Sequence, residues 1–104
     1  MIPLTRDTFS EYISKDTPVL VKFYATWCAP CMKLGEIFHR LETPFEHKVT
    51  FGKLDVDSER ELVKELGVRS VPTFFLYQNG KILEQWSGVK TIAEMSEILG
   101  KHVT

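Results

Sequence analysis

Cysteine is the scarcest informative residue in this chain: there are two among 104 residues, and they stand at positions 28 and 31. A zinc knuckle draws on four ligands, often as two cysteine pairs; here no second pair exists, and His39, His47 and His102 are scattered without ligand spacing, so no metal is expected. A disulfide serving only as a staple would close a loop too small to restrain much of the unfolded chain. Charge of one sign is also lacking. Thirteen Lys and Arg against fourteen Asp and Glu leave a net charge of −1, which gives neither nucleic acid nor an anionic membrane an electrostatic handle. No apolar run approaches a bilayer span, and there are no internal repeats, low-complexity tracts or Gly/Ser linkers. The expectation is a single domain over residues 1–104. No secretory-type leader is visible either, which points to a reducing, cytoplasmic setting.

What is present is concentrated in Trp27-Cys28-Ala29-Pro30-Cys31, directly after the apolar run Val19–Ala25. A strand that delivers a dithiol to a helix start places the first sulfur among unpaired N–H groups and at the positive end of the macrodipole. The Cys28 thiolate is therefore favoured. Cys31, one turn further in, can attack a mixed disulfide formed at Cys28, releasing reduced product and leaving an intramolecular disulfide. Pro30 suits the first helical turn, where its missing N–H loses no intrahelical bond.

The rest of the chain alternates strand and helix signals. Met1–Leu4 reads as a short edge strand, with Pro3 tolerated because it need not donate to a ladder. Thr5 or Asp7 can cap a helix running to about Ser14, with Phe9, Tyr12 and Ile13 on one face. Val19–Ala25 is a buried strand. From about Cys28 to Leu41 the apolar positions have helical spacing, and Thr43-Pro44 ends the run. Val49–Val56 is the next strand, and Ser58-Glu59-Arg60-Glu61 offers a capping box for a short helix stopping at Gly67. Val71–Tyr77 and Lys81–Trp86 form a hairpin across Asn79-Gly80, and Thr91-Ile92-Ala93-Glu94 opens a last helix with Ile92, Met95, Ile98 and Leu99 inward. The pattern is α/β, a mixed sheet with helices between its strands.

Trp-Cys-x-Pro-Cys after an apolar strand, Val71-Pro72-Thr73 about forty residues downstream, Asn79-Gly80 in a hairpin and Gly88 beyond it resemble the thioredoxin family, in order and spacing, over essentially the whole chain. The resemblance implies the thioredoxin fold, a central mixed β-sheet flanked by α-helices. It implies Cys28 as the exposed nucleophile, Cys31 as the buried resolving thiol, and a cis peptide before Pro72 facing them. Trp27, Ala29, Pro30, Ser70, Val71, Gly88 and Val89 match positions that line the family's substrate groove. A sharp turn at Pro72 lets Val71 offer its N–H and C=O to an extended substrate by strand-like pairing. The activity implied is protein-disulfide reduction, without a bound cofactor, by a monomer recycled by a thioredoxin-reductase-like electron donor. The alternatives are an oxidase or isomerase, or a binding module in a larger assembly.

Three departures stand out. Family members usually carry a buried Asp in the strand before the dithiol, where this chain has Lys22, and Lys53 matches a lysine that lies near that Asp. A buried ammonium is costly unless paired, neutralised or able to snorkel. Lys22 therefore either reaches water near Asp55, Asp57 or Glu36, or stays buried and acts on Cys31 as a cation or as a neutral base. Glu36 replaces a proline that usually kinks the helix. Gly35 replaces a small alanine-like residue: its missing methyl either leaves room for the Lys22 side chain or for water, or is neutral drift at a small-residue site, which is the expected reading.

Overall fold

The computed structural model describes residues 1–103. Its elements are β1 (Ile2–Pro3), α1 (Arg6–Ile13), β2 (Val19–Tyr24), α2 (Ala29–Glu42), a 3₁₀ turn (Thr43–Phe45), β3 (Thr50–Asp55), α3 (Arg60–Leu66), β4 (Thr73–Gln78), β5 (Lys81–Ser87) and α4 (Ile92–Gly100). One five-stranded sheet has the order β1-β3-β2-β4-β5, with β1 and β2 parallel to β3 and β4 antiparallel to β2 and β5. The parallel pairs are joined through helices and the antiparallel β4–β5 pair through a tight turn. No helix among the described residues is long and apolar enough to cross a membrane.

Strand alternation divides the core between the two faces of the sheet. Val19, Val21 and Phe23 of β2 pack with Phe75 and Tyr77 of β4 against Phe9 of α1 and Leu62 and Val63 of α3. Leu20, Phe51, Phe74 and Leu76 face the other way, against Leu34 and Phe38 of α2 and Met95 and Leu99 of α4. Phe38 stacks on Phe74, and Phe74 on Trp86. Central β2 is thus covered on both sides, and the dithiol segment leaves from its C-terminal end.

Local signals set most boundaries. The Thr5 N–H donates to Thr8 Oγ1 at 3.0 Å, and Thr91 and Glu94 cap each other with two 3.1 Å bonds. Gly67 ends α3 at φ 76°, and Asn79 and Gly80 turn the hairpin at φ 53° and 79°, the left-handed pair that such turns require. The expected Ser58 capping box does not form: Glu59 is the N-cap of α3, without a side-chain bond. Val71 and Pro72 lie outside the ladder, because β4 begins at Thr73 after a cis Val71–Pro72 bond.

Of the readings of Gly35, the structure supports neutral drift at a small-residue site over room made for Lys22. The glycine is exposed on α2, and a Cβ there would meet nothing within 4 Å, so no methyl has been removed to accommodate Lys22. Gly35→Ala therefore adds no contact and removes backbone freedom from the unfolded chain. It should stabilise the protein by about 0.5–1 kcal/mol, read as a raised urea midpoint at unchanged slope.

Candidate active site

The chain leaves β2 at Tyr24 and enters α2 within a few residues, so Cys28 becomes the N-cap of that helix, with extended backbone at φ −87° and ψ 106°. Its Sγ accepts the Cys31 N–H at 3.2 Å, and its carbonyl accepts the Met32 N–H at 3.2 Å. A sulfur at an N-cap does what a serine or aspartate oxygen does there: it satisfies an orphan helix donor, more strongly as an anion. Cys28 and Cys31 are joined as a disulfide with their Cα atoms 5.3 Å apart.

Both sulfurs sit in a small cluster with Ala25, against which Tyr24, Val56 and Val71 pack. Cys28 is 5% exposed and Cys31 2%, so the implied contrast of an exposed and a buried thiol is largely absent in this disulfide state. What distinguishes the two is electrostatic position: Cys28 caps the helix, whereas Cys31 lies inside it. The Val71 carbonyl stands 3.8 Å from Cys28 Sγ, which puts the segment before Pro72 against the nucleophile. Val71 lies outside the strand ladder, and neither its N–H nor its C=O joins another backbone group among the described residues. The Gly88 N–H closes on the Pro72 carbonyl at 2.8 Å, at φ 86°, bringing Gly88 and Val89 beside the same loop.

Trp27 is 70% exposed, with its indole N–H donated to Asp57 at 2.8 Å. Ala29, Pro30 and Ser70 are exposed and Pro72 is buried. Asp57 is a site residue that sequence reasoning did not assign to Trp27. No local pattern marks it, because the contact spans thirty residues and exists only once β3 lies beside β2. Asp57 also donates its N–H to Asp55 Oδ1 at 2.9 Å.

Lys22 is 6% exposed, which corrects the snorkelling alternative. Its amine lies 5.1 Å from the Phe38 ring centre and 5.6 Å from that of Tyr24, beneath α2. It makes no ion pair with Asp55 or Asp57 among the described residues; the side chain of Glu36 lies outside what is described. Lys53 is its register partner on β3, with its own amine 5.8 Å from the Tyr24 ring. Burial first, and Lys53 second, lower the pKa of Lys22, and Glu42 opposes them. Tyr24 thus touches the dithiol cluster and has both ammonium groups near its ring, and burial together with Asp55 raises its phenol pKa.

Residues 1–101 match the thioredoxin family model. The chain is similar to a thioredoxin of Malassezia sympodialis, 38% identical over 75% of both chains. It is 37% identical to a bifunctional thioredoxin reductase/thioredoxin of Mycobacterium leprae, over 79% of this chain and 18% of that one. The crystal structure of a thioredoxin from Trypanosoma brucei brucei superposes with a TM-score of 0.89 at 25% identity, over 97% of this chain and 88% of that one.

Proposed function

The chain belongs to the thioredoxin family and works by dithiol–disulfide exchange, and from that premise we propose how its residues divide the reaction. Cys28, as thiolate, attacks one sulfur of a protein disulfide and expels the other as a thiolate. Cys31 then attacks Cys28 Sγ, the substrate leaves as its second thiol, and the Cys28–Cys31 disulfide carries the two-electron oxidation. The observation that carries this order is the 3.2 Å bond from the Cys31 N–H to Cys28 Sγ, which favours negative charge on the first sulfur.

Trp27, Ala29 and Pro30 form one side of the rim around the dithiol, with Ser70, Val71 and Pro72, and Gly88 and Val89 beside them, as the other. The Val71 N–H and C=O, which join no other backbone group among the described residues, supply strand-like hydrogen bonds to an extended substrate. Substrate recognition is thereby led by backbone and tolerant of side chains. Lys22 and Lys53, both near the ring of Tyr24 that packs on the dithiol, act on it through charge.

The protein functions as a single-domain monomer in the cytoplasm, passing electrons from a reductase to protein disulfides. The Mycobacterium leprae relative, named as both thioredoxin reductase and thioredoxin, supports a donor of that kind. The test is insulin reduction by dithiothreitol: this protein accelerates precipitation of the insulin B chain, whereas a binding module on the same fold leaves the rate unchanged.

A further inference from the structure

Beside the dithiol, α3 and the loop after it enclose a groove of about 660 Å³, with Val56, Val63, Val68 and Val71 as its apolar floor and Trp27 at one end. Its charged lining is entirely cationic: Arg60, Lys64 and Arg69. None of the three takes part in a salt bridge among the described residues, and all three are exposed.

Helical spacing sorts these charges. Arg60, Lys64 and Gly67 follow one another along one edge of α3, and all line the groove. Glu61 and Glu65 lie along the neighbouring edge, outside the groove, where Glu65 binds Arg6 of α1 at 2.7 Å. The acids of this short helix are turned toward Arg6 of α1 and its cations line the groove.

A second hollow, where Val89 meets α2 and the start of α4, repeats the pattern with Arg40 and Lys90. Its one acid, Glu94, is committed to the Thr91 N–H. By contrast, the hollow at the far end of α2 mixes the two signs: Glu42 and Glu46 line it, and the Met1 ammonium binds Glu42 at 3.5 Å. In a chain of net charge −1 the groove thus concentrates three cations, while Asp57, the acid at its Trp27 end, accepts the indole N–H.

We infer that the groove of Arg60, Lys64 and Arg69 selects protein disulfides whose flanking segment is acidic. This rests on dithiol exchange as the activity and adds the chemical class of its preferred substrate. A segment paired with Val71 continues over Ser70 and Arg69, so its apolar residues meet the valine floor while its carboxylates meet the three cations. Such pairing acts chiefly on encounter rate and partner choice.

The test uses three peptides that share one intramolecular disulfide and differ only in flanks of four Glu, four Ser or four Lys. Rate constants are measured for the reduced protein and for the Arg60→Glu/Lys64→Glu/Arg69→Glu variant. The variant cancels differences in the peptides' own reactivity. The Glu-to-Lys rate ratio should be about tenfold higher for the unaltered protein in 20 mM salt, and the difference should vanish in about 1 M salt, where screening acts within about 3 Å. Arg69→Glu alone moves the ratio in the same direction, and serves if the triple variant does not fold. Equal ratios, with the Ser peptide still reduced, overturn the groove assignment alone. No reaction with the Ser peptide overturns the exchange reading, and the groove assignment with it.

Discussion

Cys28→Ser loses protein-disulfide reduction by more than about 10³-fold, whereas Cys31→Ser keeps its first reaction and is trapped on its substrate as a mixed disulfide. The asymmetry follows from the helix entry. A serine hydroxyl at position 28 still caps α2 but is not ionised at neutral pH, so the nucleophile is gone while the fold is kept. At position 31 the lost thiol leaves Cys28 as the N-cap, with the residue-31 N–H still directed at its sulfur. Only the resolving attack is missing. Mass spectrometry of each variant after incubation with a disulfide-bonded protein checks the assignment, and trapping by the Cys28→Ser protein instead would reverse it. In the unaltered dithiol form, iodoacetamide should also label Cys28 first. Because the two cysteines are almost equally buried in the disulfide form, that preference reports thiolate character at the N-cap.

Lys22→Met should raise stability and lower the redox potential together. Methionine keeps the bulk of the stem between Phe38 and Tyr24 and deletes a buried charge that has no ion-pair partner among the described residues, a gain on the order of 1–2 kcal/mol. The gain depends on pH with a definite sign. Burial and Lys53 hold the native amine below its ordinary 10.5, so the unfolded chain binds the proton more tightly. Stability of the unaltered protein then rises as pH climbs from the lowered native value toward 10.5, and the Lys22→Met variant lacks that rise. Its advantage is largest at neutral pH and fades in alkali.

The redox effect runs through charge. A cation behind Tyr24 stabilises thiolate more than disulfide, so its loss raises the thiol pKa values and makes the couple less oxidising. A downward shift of about 10–30 mV corresponds to roughly 0.5–1.4 kcal/mol in the two-electron couple. Equilibration against glutathione reads the shift, and thiol titration reads its cause. If potential, thiol titration and turnover are all unchanged while stability rises, Lys22 is a packing residue with no voice in the chemistry.

The elements legible in the chain are those encoded over a few residues. Thr91 and Glu94, Gly67, and Asn79-Gly80 act through bonds or dihedrals spanning one turn, and each does so in the structure. The dithiol belongs with them, since its chemistry needs only a strand end, a helix start and two cysteines one turn apart. Ser58 misleads for the same local reason: the box pattern is present, but the turn after β3 makes Glu59 the N-cap. Val71 has the signature of a strand residue because its β-branched, apolar run continues into β4, yet the cis Val71–Pro72 bond lies ahead of the ladder.

Strand, helix and dithiol were thus determined by the sequence itself, because propensity, capping and helix-dipole effects decay within about one turn. The tertiary structure alone decided what lies between distant segments. It put the Lys22 amine near the rings of Phe38 and Tyr24, where register with Lys53 and cover by α2 leave the residue only 6% exposed. It gave Asp57 to Trp27, and it set Arg60 and Lys64 along the groove that Trp27 and Val71 share while Glu65 met Arg6. Burial and long-range charge depend on which elements cover a residue, and that is known only after every element has docked.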